Sequence, residues 1–175
     1  MFYKLALCFT GNTVIFVDMN IEIWSVGSRN DSYIEEGIQF YLKRLKNYCP
    51  VSLVIIPPPK RSGNTAPEQS MQEEERLILN KLTPHHYLIA LDERGKMLSS
   101  PGWAQELQHI MNAGPKTLVF LIGGPWGITR AVKQKAQKTW SLSSLVFPHQ
   151  LVRLIMAEQL YRAFSILHNS PYHHE

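Results

Sequence analysis

The sequence predicts an α/β fold in which a mostly parallel sheet is flanked by helices. Short apolar or alternating segments recur between longer segments with helical spacing, so strands and helices alternate along the chain. A glycine-rich turn directly follows one apolar segment, as is common where a parallel strand leads into a ligand-binding loop. The length of 175 residues favours a single domain with a full core.

Five of the predicted elements lie in the first half of the chain. They are a strand at 21–26, a helix from about 31 to 47, a strand at 51–56, a helix at 67–82 and a strand at 86–91. Asn30 or Asp31 can cap the first helix, and Pro50 lies just beyond its end. Glutamates near the start of the second helix suit its positive end. Residues 57–64 contain three prolines and two basic residues, which predicts an exposed basic loop.

The second half continues the alternation. Its elements are a helix at 101–112, a strand at 117–122, a glycine turn at 123–127, a short helix, a strand at 140–148 and a long helix at 149–167. The polar residues 92–96 predict a turn after the third strand. Asp92 and Glu93 form a carboxylate pair there, and a solvated turn is the preferred interpretation over acid–base chemistry.

The glycine turn is a candidate ligand-binding loop. Gly123 and Gly124 can adopt positive φ and carry no side chain that would block a ligand, while Pro125 fixes φ and donates no hydrogen bond. Because ligands of open α/β sheets bind beyond the carboxyl ends of the strands, a nucleoside-type cofactor would fit here. The alternative is a tight strand-to-helix turn without a ligand. No phosphate-binding GxxxxGK[ST] loop occurs in the sequence.

The serine-rich segment 140–148 is the second candidate. Its serine hydroxyls and backbone groups could meet an adenine edge or a carboxylate. Pro148 closes the predicted strand, since proline is tolerated poorly inside a sheet. The alternative is a half-buried strand with polar residues on its solvated side.

The basic charge is concentrated at the C-terminal end. Basic and acidic residues cancel over residues 1–128, so the whole excess of +4 lies in residues 129–175, which also hold four of the seven histidines. This placement favours a polyanionic partner. The alternative is a solvated helix face, since the basic residues Lys133, Lys135 and Lys138 are close in sequence.

The composition argues against two other classes of protein. The longest apolar runs are far shorter than the ~20 residues that span a membrane. Cys8 and Cys49 are far apart and lack metal-ligand spacing, which favours reduced thiols in a cytoplasmic protein over a disulfide framework or a metal site.

Five segments carry a resemblance to the RlmH family of SPOUT methyltransferases. They occur in the family's order and spacing, and they are LIGGPWG at 121–127, WSLS at 140–143, FPHQLVR at 147–153, AEQLYRAFSI at 157–166 and PYHHE at 171–175. The segment 19–27 resembles the family's first strand, with Met19 as its usual initiator. The resemblance covers residues 19–175, so we expect an upstream extension at 1–18 and a single SPOUT domain at 19–175. The extension is interpreted as an upstream start or an appended strand.

The resemblance implies a fold, a reaction and a cofactor. The expected fold has a deep C-terminal trefoil knot, which periodicity could not have indicated. The expected reaction is methylation of N3 of a pseudouridine in large-subunit ribosomal RNA, within assembled ribosomes, by a cytoplasmic homodimer without metal. The expected residues around S-adenosylmethionine are Leu91, Gly123, Gly124, Ser143, Ser144, Leu145, Val146, Phe147 and Pro148.

The resemblance also places the C-terminal tail on the substrate side of the site. Arg162, Tyr172 and His173 are the candidate catalytic residues: His173 could remove the N3 proton, and Arg162 could stabilise the anion. Tyr172 could stack on an unpaired base. A composite site would take its cofactor from one subunit and the tail from the other. The competing interpretations are a non-catalytic RNA- or ribosome-binding factor with the same fold, and a nucleotide-binding protein of another class.

Overall fold

The computed structural model describes the secondary structure of residues 7–10, 13–16, 19–58 and 66–173. It also describes the burial of the side chains in the last two ranges. Most of the predicted basic loop, together with His174 and Glu175 of the tail, lies outside the described residues. The described elements are, in chain order, β1 (Leu7–Thr10), β2 (Thr13–Phe16), β3 (Asn20–Val26), α1 (Ser32–Leu45), β4 (Val51–Ile56), α2 (Pro67–Lys81), β5 (His86–Met97), α3 (Ser100–Asn112), β6 (Thr117–Ile122), α4 (Arg130–Lys135), β7 (Lys138–Ser141) and α5 (His149–Leu167).

The main sheet has the order β4-β3-β6-β5-β7, and every neighbouring pair is parallel. The predicted α/β class with a parallel sheet is therefore confirmed. β1 and β2 pair with each other antiparallel in a separate two-stranded sheet, where the sequence suggested at most one appended strand. The trefoil knot implied by the resemblance stays a prediction.

The helices cover both faces of the sheet. One apolar cluster lies between the sheet and α1, α3 and α5, and it contains the aromatic group Trp103, Phe120 and Trp140. A smaller cluster lies on the other face under α2 and α4. Since both faces are covered, the loops at the carboxyl ends of the strands are the exposed places where a ligand can approach the sheet.

The predicted serine-rich strand is wrong beyond Ser141. β7 ends there, and residues 142–148 form an irregular loop. The hydroxyl of Ser141 donates to the Ser143 carbonyl at 2.9 Å, and the Ser143 hydroxyl accepts from the Leu145 amide at 2.9 Å. Short polar side chains that bond to nearby backbone compete with strand pairing, which explains why the alternating pattern did not form a strand.

The predicted turn at 92–96 is also wrong, because β5 continues to Met97. After a bulge between Leu91 and Lys96, the strand pairs again with Trp140 and Ser141 of β7. Gly95 makes this possible: a Cβ at that position would lie 2.5 Å from the carbonyl carbon of Trp140. Glycine inside a strand allows such a close backbone approach.

Candidate functional site

A cavity of about 230 Å³ lies at the carboxyl ends of β5, β6 and β7. The predicted cofactor residues that line it are Leu91, Gly123, Gly124, Ser143, Leu145, Val146 and Phe147. Ser144 is exposed beside the cavity without lining it, and Pro148 lines a second cavity described below. Residues from three separate strand ends therefore meet at one place, as the parallel topology requires.

The glycine turn is held in a tight fold by its own backbone. The Gly127 amide donates to the Gly124 carbonyl at 2.9 Å, and Gly127 has a φ of 83°, so it is the residue of this turn that needs a left-handed conformation. Gly123 is required for a different reason, since its Cβ would lie 2.7 Å from Ile128 Cγ1 and 2.8 Å from the Gly127 carbonyl carbon. A cofactor would meet bare backbone here.

The mouth of the cavity carries exposed apolar side chains. Val146 is 90% exposed, Leu145 is 67% exposed, and Trp126 at the tip of the glycine turn is 53% exposed. Exposed apolar side chains that gather around a cavity are typical of ligand or partner sites. Their exposure to water is unfavourable, and a bound ligand or partner would bury them.

Asp92 and Glu93 line the same cavity, although the sequence favoured a solvated turn for them. The Asp92 side chain is only 7% exposed and forms an ion pair with Lys133 of α4. Burial by itself would raise the pKa of the Asp92 carboxyl, but the hydrogen bond from Lys133, the Arg94 amide and the two positive charges together hold that pKa below its ordinary value. Asp92 is therefore ionised and fixes α4 against the end of β5.

His149 and Val152, at the start of α5, also line the cavity and were not predicted. His149 is partly buried, and its pKa is lowered by burial and then by the nearby charge of Arg153. Its imidazole is consequently neutral near pH 7. The position of His149 directly after the predicted cofactor segment was the sequence signal that could have identified it.

The predicted catalytic residues form a separate cluster at the other end of α5. Arg162 donates to the Glu158 carboxylate at 2.5 and 3.0 Å and lies 3.3 Å from His173 Nδ1. The Tyr172 hydroxyl lies 3.2 Å from the Glu158 carboxylate and 3.3 Å from the Tyr41 hydroxyl. Arg162 follows His149 by thirteen residues, which places it about 20 Å farther along the helix. The structure brings these three residues together, but not to the cavity of the same chain.

The protonation states of this cluster are constrained by its hydrogen bonds. Burial raises the pKa of Tyr172, and its bonds to Tyr41 and Glu158 raise it further, so the phenol stays protonated. The bond to Glu158 raises the pKa of Arg162. Because arginine can only donate, His173 Nδ1 is the acceptor and a neutral ring carries its proton on Nε2, which is buried without a partner among the described residues.

The C-terminal excess of basic residues is largely paired. Lys133 contacts Asp92, Lys138 contacts Glu106, and Arg162 contacts Glu158. Arg153 is buried rather than available to a phosphate, whereas Arg130 and Lys135 are exposed. The charge excess is therefore not one open basic patch in the described part of the chain. Of the three lysines in the predicted solvated face, Lys135 is exposed, whereas Lys133 and Lys138 are held in ion pairs.

The described part of the chain has neither a membrane-spanning helix nor a cluster of metal ligands. No helix there combines the length and hydropathy needed to cross a bilayer. No group of three or more histidine, cysteine, aspartate or glutamate side chains is close enough to hold a metal ion within residues 19–58 and 66–173.

The chain is similar to known proteins over most of its length. Residues 19–173 match a family model described as "Predicted SPOUT methyltransferase". A relative from Flavobacterium johnsoniae, named Ribosomal RNA large subunit methyltransferase H, is 47% identical over 157 residues, which cover 90% of this chain and all of the relative. A relative of the same name from Nitrosococcus oceani is 46% identical over 155 residues, covering 89% of this chain and 98% of the relative.

A solved structure shares the fold at much lower identity. The crystal structure of a methylase-family protein from Neisseria gonorrhoeae superposes with a TM-score of 0.51 at 14% identity, covering 95% of this chain and 91% of that chain. At this identity the likeness concerns the fold alone. The agreement extends to nearly the whole chain, so the parallel sheet and its helices form one shared architecture.

Proposed function

Since the chain belongs to the SPOUT methyltransferase family, we propose that it transfers a methyl group from S-adenosylmethionine to N3 of a pseudouridine in large-subunit ribosomal RNA. The observation that carries the proposal is the convergence of the glycine turn, the end of β5 and the loop after β7 on one cavity. Relatives named Ribosomal RNA large subunit methyltransferase H support large-subunit ribosomal RNA as the substrate. Such an enzyme would meet its ribosomes in the cytoplasm.

The cavity has the chemistry that S-adenosylmethionine requires. Its walls are apolar at Leu142, Phe147 and Val152, which suits an adenine ring, and its turns offer backbone donors and acceptors. Glu93 at the rim can accept hydrogen bonds from ribose hydroxyls or from the amino group. The volume is below the roughly 300–1,000 Å³ typical of ligand sites, so we expect the exposed loop at 142–147 to adjust around the cofactor.

The cofactor supplies an electrophilic methyl carbon, and the protein must then position the acceptor nitrogen and remove one proton. The N3 nitrogen of pseudouridine carries a proton at neutral pH, so a proton acceptor is needed. Tyr172 is unsuited to this role because its raised pKa keeps it protonated. We assign removal of the N3 proton to His173. Arg162 stabilises the resulting anion, and Tyr172 acts as a hydrogen-bond donor or as a stacking surface for the base.

His173 can accept this proton only if its present contact changes. Its Nδ1 already accepts from Arg162, and Nε2 bears the hydrogen. The cluster is also about 20 Å from the cavity along α5. This distance supports a composite site, in which the C-terminal end of α5 and the tail of one subunit lie against the cofactor site of a second copy. A homodimer is therefore part of the proposal.

The proposed function predicts that labelled S-adenosylmethionine methylates ribosomes that contain the pseudouridine. Ribosomes from a strain lacking the pseudouridine synthase are the matched control, and they should take up no label because the acceptor base is absent. The measurement is label in large-subunit RNA, with the modified nucleotide identified by mass spectrometry. Label on both kinds of ribosome would contradict the pseudouridine requirement. Cofactor binding without any label would contradict this substrate, and absence of cofactor binding would favour the non-catalytic alternative.

The composite site predicts complementation between two inactive variants. Gly123→Ala should lack a cofactor site, and His173→Ala should lack the proton acceptor, so each homodimer should be inactive. After mixed refolding, about a quarter of wild-type activity should return, since half of random dimers are mixed and each has one intact site. Refolding each variant alone is the control. An active His173→Ala homodimer, or mixed dimers that stay inactive, would contradict the arrangement.

A further inference from the structure

A second cavity of about 650 Å³ adjoins the cofactor cavity. Pro125 and His149 line both cavities, so the two cavities meet at these residues. The second cavity is bounded by the end of β3 at Val26, Gly27 and Ser28, and by the start of α1. Its volume lies within the roughly 300–1,000 Å³ typical of small-molecule sites.

The position of this cavity in the sheet is significant. β3 and β6 are neighbours, but the chain leaves β3 towards β4 on one side and leaves β6 towards β7 on the other. Adjacent strands whose connections diverge open a crevice at their carboxyl ends, and ligands of α/β sheets bind in such crevices. The end of β3 and the loop after β6 both contribute to the second cavity, which therefore occupies the crevice.

The walls of the second cavity are flat and largely apolar. Tyr33 is 69% exposed at its edge, and proline rings at 58, 125 and 148 line it. The polar residues Asp31 and Gln150 bond to each other: the Asp31 amide donates to Gln150 Oε1 at 2.7 Å, and Gln150 Nε2 donates to the Asp31 carboxylate at 3.4 Å. Asp31 occupies the predicted capping position of α1 but makes no side-chain cap. The lining thus suits a planar, mostly apolar group.

Arg153 supplies a directed donor in this cavity. The side chain is 2% exposed, with Nε donating to Ser25 Oγ at 2.8 Å and Nη1 donating to the Ser28 carbonyl at 2.9 Å and to Asn30 Oδ1 at 2.6 Å. Nη2 has no hydrogen bond to any described residue. It lies 2.5 Å from where a Cβ of Gly27 would be, so glycine is required to leave it room. Nη2 is the donor that remains for a ligand.

The charges around the cavity favour an uncharged ligand over a phosphate. The charge of the Arg153 guanidinium is offset by the nearby carboxylate of Glu35, and Asp31 adds a second carboxylate to the cavity lining. The His149 ring is neutral because burial and Arg153 lower its pKa. A phosphate site would be expected to present net positive charge. A neutral heterocycle with carbonyl oxygens matches one arginine donor and an aromatic face.

We propose that the second cavity receives the acceptor base of the RNA, which stacks on Tyr33 and accepts a hydrogen bond from Arg153 Nη2 through a ring carbonyl. This inference rests on the proposed function. Of the two carbonyls that flank N3 of pseudouridine, the one at C4 is adjacent to N3 but not to N1, so a donor on that carbonyl fixes which nitrogen faces the cofactor. Because the two cavities meet at Pro125 and His149, a base in the second cavity lies next to a cofactor in the first.

The test replaces Tyr33 and leaves the buried Arg153 intact. Tyr33→Ala should lower kcat/KM for ribosomes by roughly 5- to 100-fold, the range that corresponds to loss of one base–aromatic stack. Tyr33→Phe keeps the ring and should restore most of the activity. Phe40→Ala is the matched control, because Phe40 is a 50% exposed aromatic residue on the same helix that does not line the cavity. It should retain wild-type kcat/KM.

Two further measurements on the Tyr33 variants separate this proposal from its alternatives. The Kd for S-adenosylmethionine and the dimer mass should both be unchanged in Tyr33→Ala. A weakened Kd would overturn the proposal and assign the cavity to the cofactor, while loss of the dimer would assign it to a second copy of the chain. Unchanged kcat/KM in Tyr33→Ala would overturn it directly. If the wild type itself methylated no ribosomal RNA, the proposed function would fail first, and this inference with it.

Discussion

Gly123→Ala should lower methyl transfer by at least roughly 100-fold, since misplacement of a site by about 1 Å reduces the rate by about that factor, and it should weaken S-adenosylmethionine binding as well. The new Cβ would lie 2.7 Å from Ile128 Cγ1 and 2.8 Å from the Gly127 carbonyl carbon. Backbone atoms cannot rotate away as a side-chain tip can, so the whole turn must move. Overpacking of this kind costs about 1–3 kcal/mol, which leaves the chain folded if its stability is ordinary.

Two other glycines give graded controls for this experiment. At Gly124 the added Cβ would meet the carboxylate of Glu74, which is the end of a flexible side chain, so Gly124→Ala should weaken binding less. Gly102→Ala lies in the first turn of α3, away from the cavity, and should leave binding unchanged. The measurements are calorimetric Kd values together with thermal unfolding. Wild-type affinity in folded Gly123→Ala would remove the glycine turn from the cofactor site.

Trp140→Ala should lower the free energy of unfolding by about 3–5 kcal/mol, the range for removal of a buried aromatic side chain. Trp140 is 1% exposed, and its ring centroid lies 4.8 Å from Trp103 and 5.9 Å from Phe120. It is also the penultimate residue of β7, the last strand before the cavity loop, and its backbone contacts Gly95. The substitution therefore opens a void where α3, the sheet and the loop of the cofactor site meet.

Trp126→Ala is the matched control, because Trp126 is 53% exposed at the tip of the glycine turn. We expect it to change the free energy of unfolding by no more than about 0.5 kcal/mol, as most surface substitutions do. Urea titrations of both variants, with equal slopes required, measure the difference. A loss below about 1 kcal/mol in Trp140→Ala would show that the aromatic cluster is not closely packed.

The differences between the expected and observed elements have local physical causes. The alternation of residues 21–26 and the apolar runs at 51–56 and 117–122 predicted the strands well, because these patterns directly reflect which side chains face the core. Segment 140–148 had a similar pattern, yet serine–backbone hydrogen bonds ended the strand at Ser141. The polar segment 92–96 had no such pattern, yet Gly95 allowed the strand to resume.

The lining of the first cavity was predicted in part, and its role as a cofactor site stays a prediction. The glycine turn and the loop after β7 were identified because each is a short continuous segment. Such a segment shows both its backbone chemistry and its family resemblance directly in the sequence. Asp92 was assigned to a solvated turn because nothing near it in sequence reveals Lys133, its partner on α4. Its burial depends on how α4 packs against the end of β5.

The sequence by itself determined the α/β class, the family and most of the segments that line the first cavity, because each is encoded locally in residue spacing or in short motifs. Only the tertiary structure decided what those segments meet. It placed His149 and Pro125 between two cavities, buried Arg153 beneath the second, and held Arg162 and His173 about 20 Å from the first. These contacts link residues that are far apart in the sequence. They depend on the strand order and on the packing of α5, neither of which can be inferred from a local sequence pattern.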